Sequence, residues 1–109
     1  MYFKVATEFS KTPSARTESE GKHPGEGLRA MLVPLIKECL EKGENLTIDL
    51  DGTSGYGTSF LEEVFGGLIR EEHFSYENLQ ILNFVSLEEP ELIDEINQDI
   101  IDARDNEKD

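Results

Sequence analysis

Basic residues are scarce in this sequence. Its 109 residues hold 24 Asp and Glu against 10 Lys and Arg, a formal net charge of −14. Nucleic acid and anionic membranes bind clustered Lys and Arg, so neither is an expected partner. The deficit is uneven. Between residues 71 and 103 there are ten acidic residues and no Lys or Arg. A field of that sign speeds encounter with a basic protein surface, or else it serves solubility alone. Cysteine occurs once, at Cys39, which excludes an internal disulfide and fits a reducing compartment. Long hydrophobic runs are also missing. The longest, residues 30–36, is broken by Pro34 and is too short to span a bilayer. No basic-then-apolar signal peptide opens the chain, so a cytoplasmic protein is expected. Neither His23 nor His73 has a second His or Cys at ligand spacing, so no metal site or cofactor is expected. No Ser-His-Asp or Cys-His set is visible, and the chain does not read as an enzyme.

The apolar residues that are present fall into periodic segments, enough for one domain with one core. Residues 46–71 organise the chain. Leu46, Ile48 and Leu50 alternate with Thr47 and Asp49, which predicts a strand. Gly52, Gly55 and Gly57 then interrupt the pattern within six residues. Phe60, Leu61, Val64, Phe65, Leu68 and Ile69 follow at helical spacing. Residues 2–9 alternate as a first strand, and the polar segment 10–27 has room for a short second one at 15–19. Leu28, Met31, Leu32, Leu35, Ile36, Cys39 and Leu40 predict a helix capped by Gly43, either kinked at Pro34 or restarting there. Residues 79–85 read as a further strand, and Leu92, Ile93, Ile96, Ile100 and Ile101 as one face of a final helix. The expected fold is α/β: a mixed, mostly parallel sheet of about four strands with three main helices. Residues 1–103 form the domain, and 104–109 a charged tail with nothing to bury.

Four local features carry candidate chemistry. Ser59 and Glu62 have capping-box spacing, with Thr58 one residue earlier. A phosphate added to either hydroxyl would bring about −2 charge beside Glu62 and Glu63 and act as an off-switch for docking. Asp49 and Asp51, followed by Gly52 and Thr53, resemble the first motif of haloacid-dehalogenase phosphotransferases. That resemblance would make Asp49 the nucleophile and Asp51 the acid/base near Mg²⁺, although the family's downstream Lys is missing here. The loop 52–57 lacks a Gly-Lys-Ser/Thr phosphate cradle and supplies only part of a dinucleotide fingerprint. A small ligand or nucleotide held between this loop and segment 11–23 is the alternative. The pair Gly66–Gly67 inside a helix implies close packing there, by the sheet beneath or by a partner above.

The run DLDGTSGYGTSFLEEVFGGLIRE is similar to the STAS-like family of unknown function, and FSKTPSARTESEGKHPGEGLR to the segment that leads into it. The order strand, Gly-rich loop with Thr and Ser at a helix start, strand and acidic helix resembles the wider STAS domain. That group includes bacterial anti-sigma-factor antagonists and the cytoplasmic modules of sulfate transporters. In the antagonists, a Ser at this helix start is phosphorylated by a kinase that is also the anti-sigma partner. Thr58 and Ser59 occupy its place, with Gly57 where the motif has Asp and Phe60 where it has Gly. The resemblance implies a regulatory protein-binding module for a histidine-kinase-type ATPase. Its docking surface would be Thr53, Ser54, Gly55, Tyr56 and Gly57 with Glu62 and Glu63, and its phosphoacceptor Thr58 or Ser59.

Overall fold

The structure is a computed structural model and describes residues 1–13 and 24–107. Strands β1 (Tyr2–Lys4), β2 (Leu46–Asp49) and β3 (Leu82–Val85) form one sheet in the order β1-β2-β3. Both pairings are parallel: Tyr2 lies opposite Thr47, and Leu46 opposite Leu82. Parallel neighbours require crossovers, and helices supply them. After β1 come a short turn α1 (Val5–Glu8) and the long α2 (Pro24–Lys42). After β2, α3 (Thr58–Leu61), a π-helical turn (Glu62–Gly66) and α4 (Gly67–Arg70) follow one another without a break. These three make one central helix over residues 58–70. A 3₁₀ turn (Asn78–Ile81) leads into β3, and α5 (Glu91–Glu107) ends the described chain.

Each helix forms because one stripe is apolar. Leu28, Leu32, Ile36 and Cys39 of α2 are fully buried, as are Leu61, Val64, Phe65 and Leu68 of the central helix. Phe3, Leu46, Ile48 and Leu82 of the sheet join the same core. Phe65 meets Phe84 of β3 edge-on, with ring centroids 5.4 Å apart. Tyr2, Thr47 and Asn83 stand on the other face of the sheet, where Tyr2 is 60 % exposed. Gly43 takes φ +69 and closes α2 as its sequence position predicts.

Several expectations need correction. Among the described residues there are three strands, all parallel, in place of a mixed sheet of about four. The second strand proposed at 15–19 lies outside the described residues. The first strand stops at Lys4: the Phe9 and Ser10 amides both return to the Val5 carbonyl at 2.9 Å and curl the chain. Alternation over so few residues does not separate a strand from a helical turn. The helix α2 starts at Pro24 and runs unbroken through Pro34. Pro34 is exposed within it, so the helix does not restart there. Residues 79–81 turn as a 3₁₀ segment before β3 begins. The last helix continues to Glu107, because Ala103 is buried and Arg104 packs on the Tyr76 ring.

Candidate functional site

The Gly-rich loop leaves the end of β2 and enters the central helix, the position where open α/β sheets place sites. Gly52 and Gly55 adopt φ +90 and +134, conformations that a side chain resists. A Cβ on Gly52 would also come 3.3 Å from the Ala6 Cβ, so α1 nests against the loop. Four amides at the start of this loop are committed. The Asp51 amide donates to Asp49 Oδ1 at 3.0 Å, Gly52 to Glu88 Oε1 at 2.9 Å, and Gly55 to Thr53 Oγ1 at 3.2 Å. The Ser54 amide donates to the Lys11 carbonyl at 2.8 Å. A phosphate cradle needs several amides aimed outward at one group, and these four point inward. The Tyr56 hydroxyl donates to the Leu50 carbonyl at 2.9 Å, and burial pushes its pKa up to about 12. Its ring leans on Phe60, which in turn meets Phe9.

The paired aspartates serve the scaffold. Asp49 is buried, accepts the Tyr2 hydroxyl at Oδ2, and has Lys4 Nζ 3.5 Å away. Burial pushes its carboxyl up, but the bonds from Tyr2 and the Asp51 amide, with Lys4 beside them, outweigh that and hold it below the ordinary value. The Asp51 carboxylate accepts the Leu87 and Glu88 amides, each at 3.0 Å, and clips the loop to the turn after β3. A nucleophile and an acid/base need lone pairs directed at a substrate; here those lone pairs hold the chain together.

At the helix start, Thr58 and Ser59 are exposed, and Thr53 to Gly57 range from half-buried to exposed. The capping box does not form. Gly57 is the N-cap and supplies no side-chain cap, and Glu62 turns away to Arg70, with contacts of 2.6 and 3.2 Å. Glu63 turns to Arg29. Charge-assisted hydrogen bonds to a guanidinium, bidentate for Glu62 and single for Glu63, outcompete a backbone amide for each carboxylate. Of segment 11–23, Lys11, Thr12 and Pro13 are described, and the proposed ligand site there otherwise lies outside the described residues.

Arg29 is the residue that periodicity did not single out. It is only 6 % exposed. Its Nε donates to Glu72 Oε2 at 3.0 Å, and its Nη1 to the Glu63 carbonyl at 2.6 Å and to Glu63 Oε2 at 2.8 Å. Burial pushes its pKa down, but the bonds to Glu63 and Glu72 outweigh that and raise it. Gly67 explains how it fits: a Cβ there would lie 3.0 Å from Arg29 Cδ. The glycine pair thus makes room for Arg29 and, at Gly66, for the Glu62–Arg70 pair, not for the sheet or a partner. Position carried a signal. Arg29 stands three, four and seven residues before Leu32, Val33 and Ile36, on the apolar side of α2.

The model for the family described as a STAS-like domain of unknown function matches residues 31–101. The chain belongs to that family. The matched stretch of the STAS-like domain includes β2, the Gly-rich loop, the central helix, β3 and most of α5, so the loop and both hydroxyls fall inside it. No curated protein matches the chain, and no solved structure does. Among the described residues no group of three or more His, Cys, Asp or Glu could hold a metal ion, and no helix is long and apolar enough to cross a membrane.

Proposed function

We propose that this STAS-like domain is a non-enzymatic regulatory module that docks a protein partner through residues 53–59 and the exposed side of the central helix. The partner is a histidine-kinase-type ATPase, and Thr58 or Ser59 is its phosphoacceptor. One observation supports the reading most: both hydroxyls stand exposed at the helix start, beside a loop four of whose amides are already bonded within the chain. Such a surface offers alcohols to another protein and offers little to a free phosphate group. A phosphate on Ser59 would lie one turn from Glu62 and Glu63 and add up to about −2 charge to that face. Repulsion from Glu62 and Glu63 would then disturb this face and weaken docking through it.

The test is intact-mass analysis after incubation with ATP and a purified histidine-kinase-type ATPase. Wild type is expected to gain one phosphate, and Thr58→Ala or Ser59→Ala to lose that gain. An unchanged wild-type mass would remove the switch from the reading.

A further inference from the structure

The opposite end of the central helix carries a second feature. The helix closes at His73, whose φ of 64 is left-handed, and the Phe74 amide returns to the Leu68 carbonyl at 3.0 Å. Glycine is the usual occupant of such a position. Between this end and the last turns of α5 lies a cleft of about 430 Å³. Ile69 and Phe74 supply apolar lining, and Tyr76, Glu77, Arg104 and Glu107 supply the rest that matters. The Arg104 guanidinium stands 4.5 Å from the centre of the Tyr76 ring.

Every fixed charge contributed by the cleft apart from Arg104 favours a cation. An aromatic face attracts positive charge. Glu77 and Glu107 are carboxylates, and the carbonyl ends of the central helix and of α5 carry the negative pole of each helix. The group that lies on the ring is itself a guanidinium, and Asp105 holds its Nε at 3.0 Å. The net charge of −14 adds a long-range pull on any basic surface. We propose that this cleft receives an arginine or lysine side chain presented by a basic protein segment, and that Arg104 covers the ring until it arrives. The cleft lies roughly 20 Å along the helix from Thr58 and Ser59. It is a contact surface separate from the one proposed above.

An NMR titration tests this with two probes, the capped tripeptides Ac-Arg-Arg-Arg-NH₂ and Ac-Glu-Glu-Glu-NH₂. The arginine peptide is expected to shift amides at 69–77 and 104–107 in the wild-type protein, and the glutamate peptide to shift none of them. Arg104→Ala uncovers the ring and should tighten binding about two- to fivefold, whereas Tyr76→Leu, which keeps apolar volume, should weaken it by a similar factor. Glu77→Gln should weaken it more than Glu38→Gln, which removes the same charge from α2. Shifts spread evenly over the acidic surface, with the two glutamine variants equal, would reduce the effect to general electrostatics and overturn the site. Loss of arginine-peptide binding in Arg104→Ala would show that Arg104 builds the cleft rather than covers it, and capture of the glutamate peptide would make it an anion site; either result overturns the proposal. Shifts confined to 53–59 would also overturn it, while leaving the docking surface there intact.

Discussion

A methyl group at position 67 separates two opposing effects. In an exposed helix, replacing Gly by Ala adds about 1 kcal/mol of stability by limiting the unfolded backbone. At Gly67 the new Cβ would meet Arg29 Cδ and Cζ at 3.0 and 3.1 Å. Three hydrogen bonds pin that guanidinium, so it has little freedom to move aside. Overpacking of this kind costs about 1–3 kcal/mol, which exceeds the gain. Gly67→Ala is therefore expected to lower the urea midpoint by the equivalent of about 1 kcal/mol, and a midpoint at or above wild type would show that Arg29 yields easily. At Gly66 the neighbours are the half-exposed ends of Glu62 and Arg70, and a surface pair of that kind contributes about 0–1 kcal/mol. The sequence showed that something fills the space beside the two glycines. It did not show that the filler is an arginine, because a 3.6-residue pattern counts apolar residues only.

Packing of α5 against the π-helical turn brings carboxylates together. Glu95 Oε2 and Asp99 Oδ2 are buried and accept no hydrogen bond from the described residues. Burial pushes the Asp99 carboxyl up to about 6, with Glu95, then Glu62 and Asp102, adding to it. Arg70 is held by Glu62, and Gln98 donates to Asp102, so neither donor is committed to Asp99. A carboxyl raised in the folded state takes up its proton more readily there than in the unfolded chain. Stability from this group is full below about pH 4 and lost as pH rises through about 6. A displacement of that size is about 3 kcal/mol in full. Solvent on the open side of Asp99 reduces it to on the order of 1 kcal/mol. Asp99→Asn should raise the urea midpoint at pH 7 and leave it nearly unchanged at pH 4; an equal effect at both values would contradict this. The helices themselves were legible, since Leu92, Ile96 and Ile100 repeat at helical spacing. Element ends were less so. Val5 and Ala6 are buried side by side in a turn that Gly52 makes room for, a long-range fit that no local pattern contains.

At the scale of the molecule, charge opposes compactness. With −14 spread over extents of 32 × 30 × 25 Å, self-repulsion raises the free energy of the folded state. Raising sodium chloride from 10 to 150 mM shortens the Debye length from about 30 to about 8 Å, so the melting temperature should climb over that range. A flat or falling curve would mean that the Arg29 and Arg70 pairs contribute more than the repulsion. Composition gave that charge directly, and periodicity gave the α/β class. What it could not give is commitment: Asp49 and Asp51 look catalytic as a spacing, and become structural only when Tyr2 and residues 87–88 arrive from distant parts of the chain.

The all-parallel sheet also governs how the protein comes together. Among the described residues no strand has a partner within reach of a tight turn: Tyr2 waits for Thr47, and Leu46 for Leu82. Each closure must bring together ends separated by an entire helix before any ladder bond rewards it. The helices are the local structure available first. As synthesis proceeds, β1 meets its described partner only once β2 has emerged, and β2 in turn waits for β3.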